Sequence, residues 1–154
     1  MKKLAEDADG DGTVIEYTRT EWILDPGDIN NLDDDNDGFI DNLIGWNAHS
    51  NEGDIGVNLS LSHGTNVAGC VSSMTNNETG IASVGWSIKI MGITNCDPGG
   101  SITSGYEGIL TAAQMGADII NNSWGSSGGP DYAQALINTV LNEYTSLIVA
   151  SSGN

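Results

Sequence analysis

Two short stretches carry side chains able to do proton-transfer and carbonyl chemistry. Ser62–Gly69 reads SHGTNVAG and places His63 at the first turn of a helix, where the positive end of the macrodipole disfavours a second positive charge and suits a proton acceptor. The run Val149–Asn154, VASSGN, ends on Asn154. A carboxamide held at the end of a strand can donate to a developing oxyanion, and loss of one such donor costs about 100- to 1000-fold in rate. Each residue has a plainer use beside this one. A helix-start histidine can bond a nearby carbonyl, and an asparagine can end a strand because it tolerates turns.

A second chemistry lies in the acidic part of the chain. Asp33, Asp35, Asp37, Gly38 and Asp41 stand at offsets one, three, five, six and nine of a calcium loop, with Phe39 able to offer its carbonyl. Ile44 stands where the bidentate glutamate of position twelve would be. Asp7, Asp9, Asp11 and Gly12 repeat the opening of the pattern, with Ile15 and Thr18 at later ligand positions. Asp/Gly turns of this kind also form without an ion, through side-chain bonds to backbone N–H groups.

The elements that must position these groups follow from periodicity. Val67, Ala68, Val71 and Met74 recur at helical spacing and predict a helix over 62–74 with Ser62 as its N-cap. Residues 87–93 read as a buried strand, and residues 102–115 as a helix stopped by Gly116. Residues 117–122 form the next strand, Pro130 opens another helix, and 146–150 is a third strand. This alternation predicts an α/β fold with a parallel sheet flanked by helices. Ligands of such sheets bind at the carboxyl ends of the strands. Ser123-Trp124-Gly125, within NNSWG, and Gly153-Asn154 both follow strands directly, so both are expected on one edge.

Composition narrows the partners. The chain has 154 residues, 38% apolar and only 6% aromatic, with 21 glycines, which suits one loop-rich domain built on small and aliphatic side chains. Net charge is −17, and residues 1–54 hold 15 of the 21 acidic groups. Nothing here could neutralise a row of phosphates, so no nucleic acid and no anionic membrane surface is expected as partner; cations are. No segment approaches the roughly 20 apolar residues of a membrane helix. The opening Met1-Lys2-Lys3-Leu4 looks like the start of a secretion signal, but an acidic run follows it where an apolar one belongs. Cys70 and Cys96 are the only cysteines. Cys70 is expected as a buried thiol on the apolar side of its helix, Cys96 lies in a loop, and a bond between them stays open at this level.

Taken together and in this order, SHGTNVAG, NNSWG and VASSGN closely resemble the subtilisin-like serine peptidases, the subtilases. The resemblance implies a three-layer subtilisin-like fold and a peptide-hydrolysing Ser-His-Asp mechanism. It makes His63 the general base, Asn154 the oxyanion donor and Ser123, Trp124 and Gly125 a backbone edge for an extended polypeptide substrate. It also implies an extracellular setting, and a structural calcium is the expected cofactor of Asp33, Asp35, Asp37 and Asp41. The segment from Asp25 to Asn47 resembles an acidic insertion seen in many bacterial members, so the likeness covers 22–154, with residues 1–21 unassigned. The family's Gly-Thr-Ser nucleophile and Asp-Ser/Thr-Gly motifs do not occur here, and Asp25 is the nearest imitation of the latter. The reading is therefore of a catalytic domain incomplete at both ends, with the 154 residues alone expected to be inactive. A calcium-binding, non-catalytic remnant acting as an interaction module is the alternative. A nucleotide-binding domain ranks lower, because the glycines of 125–129 lack both the Gly-x-Gly-x-x-Gly and the P-loop pattern.

Overall fold

The computed structural model describes residues 7, 9–13, 15–17, 22–56, 62–125 and 128–153. In chain order the elements are β1 Ile15–Tyr17, β2 Trp22–Leu24, β3 Gly45–Asn47, α1 His63–Ser72, β4 Gly92–Thr94, α2 Gly105–Gln114, β5 Ile119–Asn122, α3 Ala133–Glu143 and β6 Leu147–Ala150. They fall into two compact units, one made of residues 1–56 and 91–154, the other of residues 57–90.

In the larger unit the strands pair as β1 with β2 (antiparallel), β3 with β4 (parallel) and β5 with β6 (parallel). The parallel pairing and the flanking helices are the expected α/β architecture. The expected single sheet is instead three two-stranded ladders among the described residues. The strand expected over 87–93 begins only at Gly92, because its partner β3 is itself three residues long. Gly45 and Gly92 face each other across that ladder, and a Cβ on Gly45 would collide with the Gly92 carbonyl oxygen. Only a glycine lets these two backbones approach so closely.

The core forms between α2, β5 and α3. Gly105, Gly108, Ile109, Ala112 and Ala113 are the buried residues of α2, the spacing of one helical face. Ile109, Ala112 and Ala113 pack with Ile120 of β5 and with Val140 of α3, which is fully enclosed. Burying a side chain such as Val140 contributes about 1.5–3 kcal/mol. Gly116 stops α2 as expected: its φ is 83°, its N–H reaches the Ala113 carbonyl, and the Ala117 N–H reaches back to Ala112 at 3.0 Å. Pro130 does not begin α3. It precedes it in a turn closed by the Ala133 N–H on the Pro130 carbonyl at 2.9 Å.

The smaller unit is built on α1. The Val84 and Gly85 N–H groups donate to the Cys70 and Val71 carbonyls, and Ser72 Oγ donates to the Ile88 carbonyl at 3.0 Å, so the chain after the helix folds back onto its C-terminal end. Cys70 is exposed rather than buried, and Cys96 in the larger unit is half-buried; both are free thiols. No helix among the described residues is long and apolar enough to cross a membrane.

Candidate active site

The β5–β6 pair runs in register from Ile119 opposite Leu147 to Asn122 opposite Ala150, so both strands end at one edge. The ladder continues one step beyond them, with the Ser151 N–H on the Asn122 carbonyl at 3.0 Å, and Ser151 Oγ reaches the Trp124 carbonyl at 3.4 Å. Ser123-Trp124-Gly125 and Ser151-Ser152-Gly153 therefore emerge side by side, as expected of a parallel pair. Asn154, the expected oxyanion donor, lies outside the described residues.

Trp124 folds back over the start of α2. Its indole meets the Tyr106 ring edge-on, with centroids 5.7 Å apart and planes at 88°. A Cβ on Gly105 would stand 2.6 Å from the indole Cη2, so the ring occupies the space a side chain would take. Gly129 fits as tightly, since its Cβ would lie 2.7 Å from the Tyr106 hydroxyl. Beneath these contacts is a cleft of about 400 Å³ lined by Tyr106, Ile109, Trp124, Ile137 and Ile148, with Asn122 as a buried polar group in its wall. Near α2 and α3, the Tyr132 hydroxyl donates to Glu107 Oε1 at 2.6 Å, and this bond holds the Tyr132 pKa above its usual value.

His63 is the first residue of α1 and is exposed. Ser62 stands at the N-cap position but makes no side-chain capping bond. Its φ and ψ of −87° and 3° do not present the hydroxyl to the first turn, and only its carbonyl joins the helix, accepting from Asn66 at 2.9 Å. His63 belongs to the smaller unit, whereas the strand edge carrying Ser123, Trp124 and Gly125 belongs to the larger.

The acidic segment divides the expected calcium ligands. Oxygen atoms of Asp33, Asp35 and Asp37 converge within 4.8 Å of one another. Gly38, with φ of 94°, supplies the bend expected of it, and the Phe39 ring is pinned edge-on to Trp46 at 4.9 Å. Asp41 does not join the trio. Its own φ is 51°, and its carboxylate accepts instead from the Asn30 and Asn31 N–H groups at 3.0 to 3.2 Å. Asp7, Asp9 and Asp11 converge in the same way. Asp25 is buried, and its carboxylate accepts the Gly27 N–H at 2.8 Å, the bond of an aspartate turn.

Sequence patterning does not single out the strand asparagines. Asn121 Nδ2 donates to Ser123 Oγ at 2.8 Å, and Asn122 Nδ2 reaches the Val149 carbonyl at 3.4 Å. The only signal is the placement of two residues that strands disfavour at the end of a β-branched run.

Comparison with known proteins gives a consistent result. The family model of the subtilases, peptidase S8, matches residues 23–154. Thermitase of Thermoactinomyces vulgaris is 37% identical over 94 residues, a stretch covering 60% of this chain and 33% of thermitase. Subtilisin DY of Bacillus licheniformis is 36% identical over 96 residues, covering 60% of this chain and 34% of the subtilisin. The halolysin-like extracellular serine protease Nep of Natrialba magadii is 33% identical over 117 residues, covering 67% of this chain and 20% of Nep. The chain thus spans about a third or less of the length of these relatives.

Proposed function

The chain belongs to the subtilase family, and on that membership we propose that it provides catalytic-domain residues of an extracellular serine endopeptidase acting on polypeptides. The observation that supports this most directly is the shared carboxyl edge of β5 and β6, which sets Ser123-Trp124-Gly125 beside the residues leading into Asn154. In this reading the edge binds the substrate main chain as an added strand. His63 takes the proton of a serine hydroxyl as that oxygen attacks the peptide carbonyl, and returns it to the leaving amine. Asn154 donates to the oxyanion. No Gly-Thr-Ser motif occurs among the 154 residues, and none of their own serines is assigned as nucleophile.

We further propose a structural calcium ion held by Asp33, Asp35 and Asp37. Three hard carboxylate ligands within 4.8 Å of one another suit that cation. Asp7, Asp9 and Asp11 offer the same donor set at a second place.

The test uses the full-length protein that carries this segment, with a serine-directed fluorophosphonate and an extended peptide substrate. Labelling and hydrolysis that both fall by orders of magnitude in His63→Ala are the expected result. A full-length protein that binds calcium but is neither labelled nor active would favour the non-catalytic interaction module instead.

A further inference from the structure

Ser123 is the first residue of the edge and the first beyond the last residue of β5, where the ladder no longer dictates the backbone. Its neighbours on either side are fixed from Ser151, the residue that follows β6: the Asn122 carbonyl by the Ser151 N–H, and the Trp124 carbonyl by Ser151 Oγ. Ser123 is tied from its own strand. Residues two apart on a strand share a face, and the Asn121 carboxamide reaches along that face to donate to Ser123 Oγ at 2.8 Å.

This bond has little to offer stability. It is exposed, and it joins residues only two positions apart. Exposed hydrogen bonds trade against water and return little net free energy. Asn121 also stands on the open face of the pair, opposite Val149 and beyond Ile119, which is 64% exposed, a position where a β-branched residue would suit the strand better. What the amide adds is geometric. It carries the strand's conformation one residue further, into the segment that would meet a substrate main chain.

We propose that Asn121 is a positioning residue for substrate binding, acting through Ser123 to hold the 123–125 edge in the extended form a peptide requires. The proposal rests on the peptidase reading above. Asn121 touches neither the scissile bond nor the proton-transferring groups in that reading, so its loss should weaken binding of ground state and transition state alike and appear in KM rather than kcat.

The experiment compares wild type, Asn121→Ala, Asn121→Asp, Ser123→Ala and the double alanine variant in the full-length protein. Steady-state kinetics are measured on an extended peptide, and binding of a non-hydrolysable peptide is measured by calorimetry. Asn121→Ala is expected to raise KM and the calorimetric Kd about two- to ten-fold, with kcat nearly unchanged and the melting temperature kept. Asn121→Asp, which can accept the Ser123 hydroxyl proton, recovers part of the loss. The double variant is no worse than Ser123→Ala alone, because the two residues act as one unit. Additive effects, an equal fall in kcat, or unchanged binding in Asn121→Ala would overturn the proposal. Wild-type protein that binds the peptide without cleaving it would defeat the peptidase reading and leave the binding comparison to decide this one. Wild-type protein that does neither would overturn both.

Discussion

Gly105 lies directly against the indole of Trp124, so close that a methyl group on its Cα would stand 2.6 Å from the ring. Two effects of Gly105→Ala oppose each other. Alanine in the middle of a helix is worth about 0.5–1 kcal/mol over glycine, and less at Gly105, the first residue of α2, whereas forcing a group into filled space costs about 1–3 kcal/mol. Overpacking wins here, because the ring is also held by Tyr106. Gly105→Ala is expected to lower stability by about 1 kcal/mol or more in urea denaturation. It should also displace Trp124 and, on the peptidase reading proposed above, raise KM for extended peptides in the full-length protein. A stabilised variant would show that the indole moves aside freely.

Calcium should stabilise the chain by mass action, about 2.7 kcal/mol at a concentration a hundred times Kd. For a domain of this size that corresponds to about 5–10 °C in melting temperature. Replacing Asp35 and Asp37 together by alanine is expected to abolish the part of this shift due to the 33–37 loop. Asp41→Asn separates the two roles of the loop. Because Asp41 caps the Asn30 and Asn31 N–H groups and stays outside the trio, the variant should begin from a lower melting temperature and still respond to calcium. Loss of the calcium response in Asp41→Asn would return Asp41 to the ligand set.

Much of this arrangement is legible in the residues themselves. The apolar face of α2, the Gly116 stop and the emergence of Ser123-Trp124-Gly125 and Gly153 directly after parallel strands all follow from periodicity and turn chemistry, which are local. What sequence patterning misses depends on partners distant along the chain. The apolar run 87–93 has the composition of a strand, yet only its end finds a partner, in β3. Asp41 has the right offset for an ion, but the left-handed turn at that residue and two waiting N–H groups redirect its carboxylate. Pro130 fits the first turn of a helix and the turn ahead of one equally well. The contact of Trp124 with Gly105 leaves no trace in spacing, since nothing in the glycine announces the ring that fills its place.

The Tyr132–Glu107 hydrogen bond makes a pH-dependent contribution with a definite sign. Glu107 accepts the phenol proton and so raises the Tyr132 pKa above 10.0, its bond outweighing desolvation and the nearby negative charge as causes. A raised folded-state pKa means the contribution is complete below the unfolded value near 10.0 and is lost as pH rises through the folded one. Tyr132→Phe should therefore be slightly less stable than wild type at about pH 8, and the difference should shrink as the pH rises above 10.0 and through the folded-state pKa. A gap that stays constant over this range would show that the hydroxyl has no such role.

The charge of the chain sets a further condition on its stability. Twenty-one carboxylates against four basic groups give a net charge of −17, and 15 of the acids lie in the first 54 residues. Like charges repel most where the chain is compact, so folding works against this charge unless ions screen it. The screening length falls from about 30 Å at 0.01 M salt to about 3 Å at 1 M. Sodium chloride is expected to raise the melting temperature steadily across that range even with a chelator present, whereas the calcium effect should saturate at millimolar concentrations. Replacing Asp34 and Asp54, which lie outside the 33–35–37 trio, by asparagine and lysine tests the cause. The melting temperature at about 0.01 M salt should rise and its dependence on sodium chloride should flatten, with the calcium response kept. A melting temperature indifferent to sodium chloride in the wild type would mean that bound cations, rather than diffuse screening, already neutralise the acidic segment.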